Sequence, residues 1–215
     1  LAAMIDMINN TRASNIVTVE DPIEFLHRHN KSTVRQREIG TDTHSFATAL
    51  RHVLRHDPDI IMIGEMRDQE SIAIALTAAE TGHLVLSTLH TQTAPLTISR
   101  IIDSFSDDMR LQIRQQLANS LKAVISQQLI PLIDGRGRIA AIEYMIDTPA
   151  IRSMIRDGKE HQIYSAIQTG QSLGMQTMDQ ALIKLYSQGK ISRDSVLEYC
   201  IDRAEAERLM HNNFF

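Results

Sequence analysis

The chain has 215 residues, enough to bury a core as one large domain or as two small ones. Its 43% hydrophobic and 22% charged residues are ordinary for a soluble globular protein, and a net charge of −4 carries no basic footprint for nucleic acid. A single cysteine, Cys200, excludes an internal disulfide and a multi-cysteine zinc site and fits a reducing compartment; no apolar run approaches a membrane span and no signal-peptide pattern occurs, so the reading is a soluble, cytoplasmic protein without direct membrane insertion.

Leu1, Met4, Ile5 and Ile8 follow helical spacing with no cap residue before them. This predicts a helix to about Asn10 and, with no initiator Met, a chain that is the latter part of a longer protein. Ile16 to Val19 reads as a buried strand running into the acidic residues Glu20, Asp21 and Glu24, with Pro22 turning the chain off the strand. His27-Arg28-His29 reads as a solvated face. Thr33 to Glu38 alternates as a half-exposed strand. Phe46, Leu50, Val53 and Leu54 share one face of a helix over 44–56, ended by Asp57-Pro58-Asp59 because the residue before proline is biased out of the α region.

A second buried strand, 59–63, leads into Gly64 and Glu65. Asp68 is placed to cap a helix over 69–80, closed by Gly82, and His83 to Ser87 is a third strand. Helices are predicted at 94–103 and 107–118, then strands near 122–130 and 138–146 joined by a turn at Asp134-Gly135-Arg136-Gly137. From Pro149 the pattern is helical only: 149–156, 159–169, 177–188, 192–199 and 202–210. These elements predict an α/β core over residues 1–147 and a small all-α region over 148–215.

In an open α/β sheet, ligands sit outside the carboxyl ends of the strands. Two buried strands that deliver glutamates to that edge suit a magnesium-bound nucleotide, where a carboxylate poises water or holds the metal. The first acidic box alone reads equally as a surface turn; Glu65 on a second strand tips it toward a site. Gly64 permits close backbone approach, and an apolar strand ending in a carboxylate follows Walker B logic, reaching a metal directly or through its waters.

His83 and His90 bracket the third strand. They lack a third ligand of suitable spacing, so they read as hydrogen-bonding groups, or as donors to a phosphate oxygen, rather than as a metal pair. His52 and His56 lack the glutamate of H-E-x-x-H, which removes a zinc reading. Arg51 and Arg55 on the same helix read as solvated cations or as arginine fingers across a subunit boundary. No G-x-x-x-x-G-K-[ST] phosphate loop occurs in the 215 residues.

Taken in order, Thr18 to Glu24, Ile60 to Glu65, and Thr77-Ala78-Ala79-Glu80-Thr81-Gly82-His83 through Thr88-Leu89-His90 resemble the Asp, Walker B and His boxes of the secretion ATPases that power type II secretion and type IV pili. Ala150-Ile151-Arg152-Ser153-Met154-Ile155-Arg156 resembles a motif of that family's retraction motors, with Ser153 and Met154 as mild departures. One cysteine cannot build the four-cysteine zinc element usual in extension and secretion motors, which also favours retraction.

The resemblance implies a RecA-like P-loop NTPase core, here N-terminally truncated and without its P-loop strand, that uses ATP and Mg²⁺ in a homo-hexamer. It implies that Glu24 polarises the attacking water and that Glu65 binds Mg²⁺ through water. Glu20, Asp21 and Gly64 would line the nucleotide site, His83 and His90 would contact the phosphates, and Arg51 and Arg55 would act between subunits. It further implies an inner-membrane pilus platform protein as partner and a peripheral position at the inner face of the cytoplasmic membrane. The alternatives are an extension or type II secretion ATPase, or a non-catalytic oligomerisation module.

Overall fold

A computed structural model describes residues 1–212, which form two compact units, Leu1–His90 with Ser104–Ser106, and Thr91–Asp103 with the residues from Asp107 onward. The change of pattern at 147/148 falls within the second unit.

The first unit is a parallel sheet of β1 (Asn15–Glu20), β2 (Thr33–Glu38), β3 (Ile60–Ile63) and β4 (Leu84–Ser87), in the order β2-β1-β3-β4. Both faces are covered, and strand alternation sorts the side chains between them. Ile16, Val34, Ile60 and Met62 meet Ile5 and Ile8 of α1 (Ala2–Thr11) on one face. Val17, Val19, Ile61 and Ile63 meet Phe46, Leu50 and Val53 of α2 (Phe46–Val53) and Ala75 and Ala78 of α3 (Gln69–Glu80) on the other.

Helix α2 is shorter than the predicted 44–56. Ser45 accepts the Thr48 N–H and starts it, and Arg55 and His56 close it with tight bonds back to His52 and Val53. Asp57 then takes a left-handed conformation, φ 49°, which Asp tolerates better than most residues. At α3, Asp68 accepts the Ser71 N–H as expected. The far end is a Schellman turn: Gly82 sits at φ 103°, its N–H bonds to Ala79 O, and the His83 N–H bonds to Ala78 O. That turn uses His83, so β4 begins one residue later than predicted.

The second unit centres on an antiparallel hairpin, β5 (Ala123–Pro131) and β6 (Arg138–Ile146), in register from Ala123↔Ile146 to Pro131↔Arg138. Helices α4 (Ala94–Asp103), α5 (Asp107–Ser120), α6 (Pro149–Arg156), α7 (Ile163–Thr169), α8 (Met178–Ser187), α9 (Arg193–Tyr199) and α10 (Arg203–Asn212) complete it. Its main core joins Ile130 and Ala141 of the hairpin to Met178, Leu182, Val196, Ala206 and Met210. The predicted 159–169 helix is split, because a 3-10 turn at Glu160–Gln162 precedes α7.

Two buried carboxylates tie this unit together. Glu143, 0% exposed, accepts from Ala94 N at 2.6 Å and Met178 N at 3.3 Å, the first residues of α4 and α8. Asp179, also 0% exposed, accepts from Ile201 N at 2.7 Å, Asp202 N at 3.0 Å and the Tyr164 hydroxyl at 3.1 Å. Burial pushes the Glu143 carboxyl above the usual glutamate range, against the pull of its two N–H bonds. Burial, then the charge of Asp179, likewise raises the Tyr164 phenol.

Candidate active site

Parallel strands all present their carboxyl ends at one edge, so β1 and β3 deliver Glu20, Asp21, Gly64 and Glu65 side by side. Gly64 N–H bonds to Val19 O at 2.8 Å. A Cβ on Gly64 would stand 3.4 Å from both Val19 O and Glu20 Cα, so glycine lets the two acidic segments lie this close. The Thr88 hydroxyl donates to Gly64 O at 2.5 Å, and Met66 N–H bonds to Thr88 O at 3.2 Å. These bonds fasten the end of β4 to the segment carrying Glu65.

The Glu65 carboxylate is engaged at both oxygens. Arg67 Nη2 donates to Oε1, and His90 Nε2 lies 3.5 Å from Oε2. The other terminal nitrogen of Arg67 is 3.6 Å from Asp21 Oδ2, so one guanidinium spans both acidic segments. The hydrogen bond from Arg67, and beyond it the charges of Arg67 and His90, hold Glu65 below the usual carboxylate range despite partial burial.

Glu20 is 7% exposed and turned into the sheet edge, where it accepts from the Thr18 hydroxyl at 2.6 Å and Gln36 Nε2 at 3.0 Å. Glu24 stands exposed on the loop after β1. That loop is pinned to β2: Ile23 N–H donates to Glu38 Oε2 at 2.9 Å, His27 N–H to Gln36 Oε1 at 2.8 Å, and Gln36 Nε2 to Phe25 O at 2.8 Å. Its far end is held by Asn9, which accepts from Asn30 N and donates to Arg28 O.

The other candidates lie elsewhere. His83 sits at the amino end of β4, a strand length of about 13 Å from the edge that carries Glu65. Its Nδ1 is 2.9 Å from Ala78 O and 3.1 Å from the Thr81 hydroxyl, on the turn that ends α3. Arg51 pairs with Glu70 of α3, both largely exposed, and Arg55 is exposed. The structure thus brings together Glu20, Asp21, Gly64, Glu65 and His90, with Glu24 on the adjoining loop. Sequence reasoning missed Arg67, Gln36, Glu38 and Thr88. An arginine two residues beyond Glu65, and Gln36 and Glu38 alternating on one strand face, were the available signals.

The donors at this edge are hard carboxylate oxygens. Among the described residues no group of three or more His, Cys, Asp or Glu could hold a metal alone. The fit is therefore to a cation of the Mg²⁺ kind, held by one or two carboxylates and completed by water or phosphate. Glu65 would reach it through a bound water, with Asp21 nearby on the adjoining segment. Among the described residues no helix is long and apolar enough to cross a membrane.

The chain is 57% identical over 198 residues to the type IV pilus retraction ATPase PilT of Pseudomonas aeruginosa, covering 92% of this chain and 57% of that protein. It is 53% identical over 195 residues to the twitching motility protein of Neisseria gonorrhoeae, covering 91% of this chain and 52% of that protein. A crystal structure of the pilus retraction motor PilT with bound ADP superposes with a TM-score of 0.90 at 51% identity, over 96% of this chain and 58% of that one. The Legionella pneumophila ATPase DotB follows with a TM-score of 0.81 at 33% identity, over 91% of this chain and 54% of that one. The chain thus spans a little over half the length of the curated relatives it matches. The family described as type II/IV secretion system protein matches residues 1–148. The chain belongs to the type II/IV secretion system protein family.

Proposed function

We propose that this chain carries the carboxylate side of an ATP-hydrolysing motor for type IV pilus retraction and twitching motility. The observation that carries the reading is the meeting of Asp21 and Glu65 at one strand edge, with the Glu24 loop pinned beside them. The names of the relatives, a retraction ATPase and a twitching motility protein, support the choice of motor. The 215 residues hold no glycine-rich phosphate loop, so the reading concerns the metal and water side of the site.

In this reading Glu24 accepts a hydrogen bond from the attacking water and takes its proton as the water oxygen bonds to the γ-phosphorus and the bond to the departing ADP oxygen breaks. Glu65 would hold Mg²⁺ through a water, Asp21 lies beside it, and Glu20 keeps the acidic segment seated against β2. Mg²⁺, when bound, neutralises charge on the phosphates. His90, at the end of the β4 loop, is placed to donate to a phosphate oxygen. Arg51 and Arg55 face a neighbouring copy in a homo-hexamer, and His83 serves the α3 turn instead of the nucleotide. Residues 1–147 work as the ATPase core, 148–215 as its helical region, at the inner face of the cytoplasmic membrane against a pilus platform protein.

The test is Glu24→Gln in the intact protein as its gene encodes it. ATP turnover falls by about a hundredfold or more while ATP affinity stays within about twofold. Unchanged turnover removes Glu24 from its role. In a strain lacking its retraction motor, the wild-type gene restores surface motility; restoring pili to a strain without its extension motor would point to the extension branch instead.

A further inference from the structure

We propose that Arg67 is a positioning residue that latches Glu65 and passes to Asp21 when the divalent cation arrives. The inference rests on the reading of Glu65 as the residue that holds the cation's water.

Neither oxygen of Glu65 is free as the site stands, since Arg67 occupies one and His90 lies near the other. A divalent cation competes for the same lone pairs and repels a guanidinium held against them, so it must displace at least one of the two. Arg67 is built to move. Its side chain is 61% exposed, whereas the Glu65 side chain is 17% exposed, so the cation is the mobile member and the carboxylate the fixed one.

A second acceptor already stands beside it. Asp21 Oδ2 is 3.6 Å from Nη1, longer than a close ion pair, so a short swing of the planar fork trades a carboxylate on β3's edge for one on β1's edge. Charge at the site is conserved in both positions: with Arg67 on Glu65 the edge is closed to the metal, and with Arg67 on Asp21 it is open. Loading of the cation thereby becomes a choice between two side-chain arrangements, and not simple diffusion into a vacant acidic edge.

Mn²⁺ affinity, read by electron paramagnetic resonance with ADP present, tests this in the intact protein. Arg67→Ala tightens Mn²⁺ by about fivefold or more, the loss of one partly exposed ion pair. Arg67→Lys returns the affinity toward wild type, because a point charge still engages Glu65. Arg67→Gln, which keeps the stem and drops the charge, repeats the tightening should the alanine variant fold poorly. A merely structural arginine would leave the affinity unchanged or weaken it, and either result overturns the latch. Glu65→Gln separates the two levels: it must weaken Mn²⁺ in both the wild-type and Arg67→Ala backgrounds. If it does not, Glu65 is not the cation's residue and the latch falls with that reading.

Discussion

Glu143 and Glu65 are both glutamates at the heart of their units, yet they are held in opposite ways. Glu143 is sealed from solvent, and its partners are the backbone N–H groups of Ala94 and Met178, which the helices fix in place. Glu65 is partly open, and its partners are the exposed side chains of Arg67 and His90. A carboxylate satisfied by backbone donors cannot be released without unmaking the fold, so it acts as a staple. One satisfied by exposed side chains can be released at little cost, which is what binding a metal requires. The kind of partner separates a structural acid from a chemical one more sharply than burial does.

The largest effect expected from this contrast is Glu143→Ala. It strands two buried N–H donors at the starts of α4 and α8, and should lower stability by about 2–5 kcal/mol. Urea unfolding checks it, and a change below about 1 kcal/mol would break the comparison by showing that the staple holds nothing. A smaller effect comes with pH. Burial raises the folded-state pKa of Glu143 above its unfolded value, so between the two values the native chain binds more protons than the unfolded one. The stability contribution of the protonated form is therefore full below the unfolded pKa and is lost as pH rises through the raised one. A carbon-13 carboxyl titration should give Glu143 a midpoint above that of the exposed glutamates; a midpoint below them would reverse the sign.

Within the first unit the same contrast appears at lower energy. Asp68 accepts a backbone N–H at the start of α3, and Asp68→Ala should cost about 1 kcal/mol. Arg51 and Glu70 meet only through exposed side chains, and Arg51→Ala should cost about 0.5 kcal/mol or less. Paired thermal melts rank the two, and equal losses would blunt the distinction.

Much of the first unit was legible before any coordinates. β-branched runs at 16–19 and 60–63 are strands because nothing else buries both faces of so short a segment. Asp68 and Gly82 mark the ends of α3 because capping is local chemistry, read within three or four residues. The acidic strand ends were legible for a similar reason: a cluster of charges after a short buried run marks the edge where the chain returns to solvent.

Local patterns could not report which strands are neighbours. The order β2-β1-β3-β4 sets Gln36 against Glu20 and Arg67 beside Asp21, pairings that join segments distant along the chain, whereas Arg67 and Glu65 are near neighbours in sequence. The length of β4 parts His83 from His90, since a strand running from one to the other puts them at opposite ends of the sheet. Periodicity and caps record how each segment meets solvent and its own backbone, so the amino-acid sequence by itself determined the elements, their faces and the carboxylates at their ends. Tertiary structure alone decided which side chains face those carboxylates, because strand order is chosen by packing across the whole sheet.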